Sequence, residues 1–137
     1  MNFKERSELY RNYLQNNVIP FWLENSIDKE YGGFFTSLDR KGKCYDTDKF
    51  MWLQHRQVWT FSMLYNNFEK NQQFLDTAVN GAEFLAKHGM DTQGDWYFSM
   101  DRAGNPLVES YNIFSDCFAT MGYAQLYIAT ENEKYSK

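Results

Sequence analysis

The stretch Lys49-Phe50-Met51-Trp52-Leu53-Gln54-His55-Arg56-Gln57-Val58-Trp59-Thr60-Phe61-Ser62-Met63-Leu64-Tyr65 constrains this chain more than any other. Read at helical spacing, Phe50, Leu53, Phe61, Leu64 and Phe68 form one apolar stripe, and Trp52, Trp59 and Met63 form a second. A helix that is apolar on two faces is held between layers. The spacing predicts it from about Lys49 to Phe68. The second stripe also carries charge, because Lys49, Trp52, Arg56, Trp59 and Met63 step by three or four and so stand above one another on successive turns. An arginine cannot shed its proton, so Arg56 among indoles demands an anionic partner or a polar cavity.

Composition narrows the function. Acids and bases are interspersed and sum to a net charge of -4, which leaves no basic face for nucleic acid. No apolar run reaches the ~18 residues of a membrane span. The start, Met1-Asn2-Phe3-Lys4-Glu5-Arg6, lacks the apolar core of a signal peptide, so the expected compartment is the cytoplasm. Cys44 and Cys117 have no metal-ligand spacing and are expected as reduced, buried fillers. Aromatics are the outlier: twelve Phe, ten Tyr and four Trp exceed what one small core needs. Either each helix has two apolar interfaces or rings line a cleft.

In chain order, Phe3 to Asn25 reads as a helix that Pro20 should kink. Tyr31 to Tyr45 alternates and contains an Asp-Arg-Lys-Gly turn, so it predicts a hairpin. A third helix is predicted from Asn71 to His88, stopped by Gly89, and a second hairpin over Asp95–Leu107. A fourth helix follows from Ile113 to Thr130, and Asn132 to Lys137 reads as the start of a fifth. Shifted by 62 residues, the second half overlays the first: Asp39-Arg40 meets Asp101-Arg102, Gly42 meets Gly104, Gly32 meets Gly94 and Ser37 meets Ser99. The unit is helix, hairpin, helix, with one helix partly exposed and one buried on both sides. Stacking such units sideways closes a ring of inner and outer helices. The expected division is 1–68, 69–130 and the start of a third unit over 131–137, about two of the six units of an all-α (α/α)6 barrel carrying short β-hairpins.

Three strings, Tyr31-Gly32-Gly33-Phe34-Phe35, Trp52-Leu53-Gln54-His55-Arg56-Gln57-Val58-Trp59 and Phe114-Ser115-Asp116-Cys117-Phe118, together resemble the N-acylglucosamine 2-epimerase (renin-binding protein) family. The resemblance runs the length of the chain and implies an (α/α)6 barrel. It also implies interconversion of N-acetylglucosamine and N-acetylmannosamine, ATP as an allosteric effector that is not consumed, and a cytosolic homodimer. Epimerisation at C2 removes a proton beside a carbonyl and builds an enediolate, and a fixed cation at O1 stabilises that charge. The resemblance gives Arg56 this role. The family's two histidine bases fall beyond Lys137, so residues 1–137 alone are expected to be inactive, with no cofactor of their own.

Beside Arg56, four residues are candidate substrate contacts. Trp52 reads either as a wall for a sugar face or as core; Phe114 matches a position where related epimerases hold a ring against the sugar. Asp116 could bind sugar hydroxyls, pair with Arg56, or serve as a first-turn acid favoured by the helix dipole. Lys49, on the arginine stripe, could attract sugar oxygens or a carboxylate. His55 precedes Arg56 and so points about 100° away, which predicts a surface or interhelix role. Two other classes stay open: a glycoside hydrolase using Asp116 and Glu109, and a non-catalytic carbohydrate- or protein-binding module presenting its aromatics. The looser relatives, cellobiose 2-epimerases and aldose-ketose isomerases, would keep the ring and change the sugar.

Overall fold

The computed structural model describes residues 2–136; Met1 and Lys137 lie outside the described residues, and with Lys137 the last residue of the expected third unit. Asn2 and Glu5 exchange side-chain and backbone bonds, a capping box that starts α1 (Phe3–Tyr13). The rod continues through a π-helical turn, Leu14–Val18, into α2 (Ile19–Asn25). Pro20 has no N–H for the carbonyl four residues back. The distortion therefore precedes it: the Ile19 N–H bonds Leu14 O, one residue further back than an α-helix allows. Among the described residues α1 buries no side chain.

β1 (Ser37–Leu38) and β2 (Cys44–Asp46) form the first hairpin. The central helix is shorter than its spacing predicts. Lys49 and Phe50 form a strand, β3, and α3 runs Met51–Asn67. The cause is backbone pairing: β3 lies antiparallel to β4 (Ser99–Met100), and the Met51 N–H reaches Phe98 O at 3.0 Å. β4 in turn pairs with β5 (Pro106–Val108), so the second hairpin is stitched to the base of α3. α4 (Gln72–His88) and α5 (Phe114–Thr130) pack on α3 from two sides, as a two-faced helix requires. Glu133–Tyr135 is a single 3-10 turn, and no described helix is long and apolar enough to cross a membrane.

The core lies between α3, α4 and the loop after α2. Phe34 is fully buried and stacks on Phe61 at 6.2 Å, with Val58, Leu85 and Ala82 around it. Burying each large ring is worth roughly 1.5–3 kcal/mol. Two close approaches depend on glycine. A Cβ on Gly81 would come within 2.3 Å of the Phe34 ring, and one on Gly122 within 2.9 Å of the His55 carbonyl, where α5 meets the backbone of α3.

The two hairpins are built alike. β4 and β5 follow β1 and β2 at the same spacing in sequence, and Asp39 and Asp101 head turns with matching bonds to Lys43 and Gly42 or to Asn105 and Gly104. Gly42 and Gly104 have φ of +84° and +96°, while Gly32 and Gly94 have +84° and +92°, a left-handed backbone that only glycine adopts cheaply.

Candidate functional site

Arg56 is exposed on the face of α3 opposite the core that Gln54, Val58 and Phe61 enter. Its guanidinium carbon lies 5.2 Å from the Trp52 ring centroid and 4.6 Å from that of Phe118. Those two rings are 6.0 Å apart, one from each inner helix, so both helices shape the cation's surroundings. Among the described residues Arg56 forms no ion pair or side-chain hydrogen bond. Its five donors are therefore open while its apolar faces are supported. Phe114, 59% exposed, stands one turn before Phe118 on the same side of α5.

Two expected members stand elsewhere. Lys49 does not share the arginine face. Placed in β3, its side chain turns inward, is completely buried, and donates to Asp28 Oδ2 (3.1 Å), Gly32 O (2.7 Å) and Arg102 O (2.7 Å). All three ammonium protons are committed, so none remains for a sugar. Asp116 is also turned away. It follows Phe114 by two positions, about 200° round the helix, and lines a cleft of about 520 Å³ with Trp96, Tyr123, Tyr127 and Tyr135. No ion pair joins it to Arg56 among the described residues.

The strings that carry the family likeness meet physically. Gln54, fully buried, accepts from Phe34 N and donates to Phe34 O, both at 2.8 Å. Its amide thus acts as a strand for the Gly32–Phe35 segment. A Cβ on Gly33 would come within 2.9 Å of Gln54 Oε1, which explains the second glycine of the pair. His55 sits in the interhelix position: fully buried, Nδ1 2.9 Å from Met51 O, ring 4.3 Å from Trp96 and 5.8 Å from Tyr123. Burial pushes its pKa down to about 3, only partly opposed by the Met51 carbonyl, so the ring is neutral. His88 packs beside Phe84 at 5.1 Å, and burial lowers its pKa as well.

Away from the arginine face, Asp28 holds Lys49 and both Arg102 Nε (3.0 Å) and Arg102 Nη2 (3.0 Å). Burial alone would raise its carboxyl. The donors Arg102 and Lys49 and the amides of Glu30 and Tyr31 outweigh burial and hold it at about 2. Burial likewise lowers the Lys49 ammonium, with Asp28 opposing the change. This knot ties the loop after α2, the base of α3 and the second hairpin together.

Sequence reasoning missed Phe118 and Asp28. Phe118 was findable, since it follows Phe114 by one helical turn; nothing in the spacing links residue 28 to 49 and 102. Cys117, expected inside, is exposed, and Cys44 is half-buried; both thiols are free.

The family described as N-acylglucosamine 2-epimerase matches residues 33–137. Human N-acylglucosamine 2-epimerase is 42% identical over 124 residues, which cover 88% of this chain and 29% of that protein. Cellobiose 2-epimerase of Dictyoglomus turgidum is 30% identical over 94% of this chain and 33% of its own length. This chain thus spans less than two thirds of the relatives it matches. A solved cellobiose 2-epimerase from Bacillus thermoamylovorans superposes with a TM-score of 0.88 at 25% identity, covering 97% of this chain and 34% of that one. These neighbours are (α/α)6 barrels, and the present chain is a partial toroid of that fold.

Proposed function

This chain belongs to the N-acylglucosamine 2-epimerase family, and we propose that the complete protein interconverts N-acetylglucosamine and N-acetylmannosamine, with Arg56 as its fixed cation. The observation that carries this reading is the state of Arg56: a permanent charge, flanked by Trp52 and Phe118 and without a carboxylate partner among the described residues. Such a group is free to receive an oxygen that becomes anionic.

In the open-chain sugar, a base takes the C2 proton and the electron pair moves through C1 to O1. Because C2 carries nitrogen, the intermediate is an enolate. The guanidinium stabilises O1 as its charge grows, and the proton returns to the other face of C2 from a second group. The family resemblance implies two histidines outside 1–137 as the paired bases; of the histidines in this chain, His55 is fully buried and His88 ends α4 against Phe84. Trp52, Phe118 and Phe114 offer ring faces to the apolar side of the sugar. The acyl sugar is favoured over cellobiose because 42% identity to the acylglucosamine enzyme exceeds 30% to the disaccharide enzyme. In the same reading ATP acts as an effector, and the complete protein is a cytosolic homodimer.

Exchange of the C2 proton of N-acetylmannosamine in heavy water tests the assignment. The complete protein should catalyse it, and Arg56→Ala should slow it by about 10²–10³ or more. Exchange at an undiminished rate removes Arg56 from the mechanism; release of reducing ends from an oligosaccharide would indicate a hydrolase, and binding without either reaction a non-catalytic module.

A further inference from the structure

The loop after α2 and the loop after α4 are built alike. Asp28 directly follows the bridge residue Ile27, and Asp91 directly follows Met90. The Asp28 N–H reaches Gly33 O at 3.1 Å and Asp91 N–H reaches Asp95 O at 3.0 Å; Gly32 and Gly94 each donate back to the aspartate carbonyl. Both carboxylates take two amides on Oδ1, from Glu30 and Tyr31 in the first loop and from Gln93 and Asp95 in the second. The hairpin turns correspond too, so Arg40 is the counterpart of Arg102.

The two loops differ in the cations that reach the carboxylate, and Lys49 on Asp28 is the first of them. Asp28 is gripped at both oxygens by Arg102, which projects from the hairpin of the following unit. Asp91 and Arg40 form no ion pair among the described residues. The charge that Asp28 finds in the next unit is missing at Asp91, and the carboxylate that Arg102 finds in the preceding unit is missing at Arg40. We propose that the Asp28–Arg102 link is one instance of a repeating lock between units. Asp91 is then the socket for a guanidinium on the hairpin turn of the next unit of the complete polypeptide, and Arg40 is the plug for a loop aspartate of the unit on the other side. The relatives supply the needed length, since this chain covers 29% and 33% of two of them. The lock rests on the fold and not on the sugar reaction.

Asp91→Asn keeps an oxygen for both loop amides and removes only the charge. In the complete protein it should lower the thermal midpoint by several degrees, whereas Asp95→Asn, on the same loop, should leave it unchanged. Arginine modification by phenylglyoxal, mapped by mass spectrometry, adds a readout that loop weakening would not move. Arg40 should be protected in the native wild type and reactive after unfolding in urea, and Asp91→Asn should expose one further arginine outside 1–137. If Asp91→Asn fails to fold, the protection of wild-type Arg40 still decides. Equal midpoints for the two variants, a fully reactive Arg40, or no newly reactive arginine overturns the lock. Exposure of the same arginine on diluting the wild type to monomers also overturns it, by placing the plug on a second copy.

Discussion

Lys49 and Arg56 are cations seven residues apart on one continuous segment, both beside aromatic rings, and they are opposites in burial and in hydrogen bonding. Lys49 is fully buried, and its three protons reach a carboxylate and two carbonyls. Arg56 is exposed, and its described neighbours are the faces of two rings. A cation whose donors are all satisfied holds a fold together; one whose donors are open can answer a ligand. The distinction is one of saturation and not of charge, and it predicts that removing each should damage a different property.

Lys49→Met should give the larger effect. It keeps the length of the side chain but leaves the buried Asp28 carboxylate with Arg102 as its one cation among the described residues, and truncating one partner of a buried pair costs about 3–5 kcal/mol. Urea unfolding should show that loss as a lower midpoint. A loss no greater than that of an ordinary surface change would mean the knot contributes little. Arg56→Ala reverses the pattern. Its unfolding midpoint should move by less than about 1 kcal/mol, the worth of exposed cation–π contacts, while turnover of the complete protein falls by about 10²–10³ or more. A variant that lost stability and kept activity would collapse the contrast.

The reason only part of this could be read beforehand lies at the base of α3. The two-faced periodicity of residues 50–68, the two hairpins and their recurrence are local patterns, and local patterns survive in sequence. Helical spacing extended two residues back from Met51 puts Lys49 on the arginine stripe, where the chain is in fact a strand. In a strand, side chains alternate with a period of two, and β3 sends Lys49 to the other side. The pairing that makes β3 a strand comes from Ser99 and Met100, about fifty residues away, so nothing near Lys49 announces it. Of the three readings open for Asp116, the first-turn acid of α5 is the one its position fits, since two steps along a helix put it nearly opposite Phe114. Phe118 could be reached from Phe114 by one helical turn, but its place beside Arg56 follows from the approach of α5 to α3.

Acid should sharpen the contrast further, and the largest part comes from the fully buried ring of His55. Folded His55 titrates at about 3 instead of 6.5 because burial disfavours its charged form. Below pH 6.5 the unfolded chain therefore takes up a proton that the folded chain refuses. Stability is whole above that pH and falls by about 1.4 kcal/mol per pH unit on acidification. His88, also lowered, adds to the same slope. Asp28, lowered from 3.8 to about 2, contributes stability that is present above pH 4 and lost as the pH drops toward 2. His55→Gln should flatten the limb between pH 6 and 4, leaving only the part due to His88. An unchanged slope there would show that the ring is charged or hydrated in the folded state.

The smallest effects concern the rings around the exposed cation. Phe118→Leu keeps an apolar side chain on α5 but removes the face 4.6 Å from the Arg56 guanidinium, so the change in stability should stay below about 1 kcal/mol. Its consequence should appear in catalysis, because a guanidinium held by one ring instead of two samples more orientations before substrate arrives. If Phe118 positions the cation, kcat should fall more than KM rises, and the loss should disappear in an Arg56→Ala background, where nothing is left to position. If it serves only as a sugar platform, KM should rise and the two losses should add. Asp116→Asn is the matching control on the opposite side of α5: lining the cleft with Trp96 and Tyr123, it should alter neither kcat nor the Arg56 coupling. A coupling between Asp116 and Arg56 as large as that between Phe118 and Arg56 would place both sides of α5 in one site and dissolve the division between a saturated face and an open one.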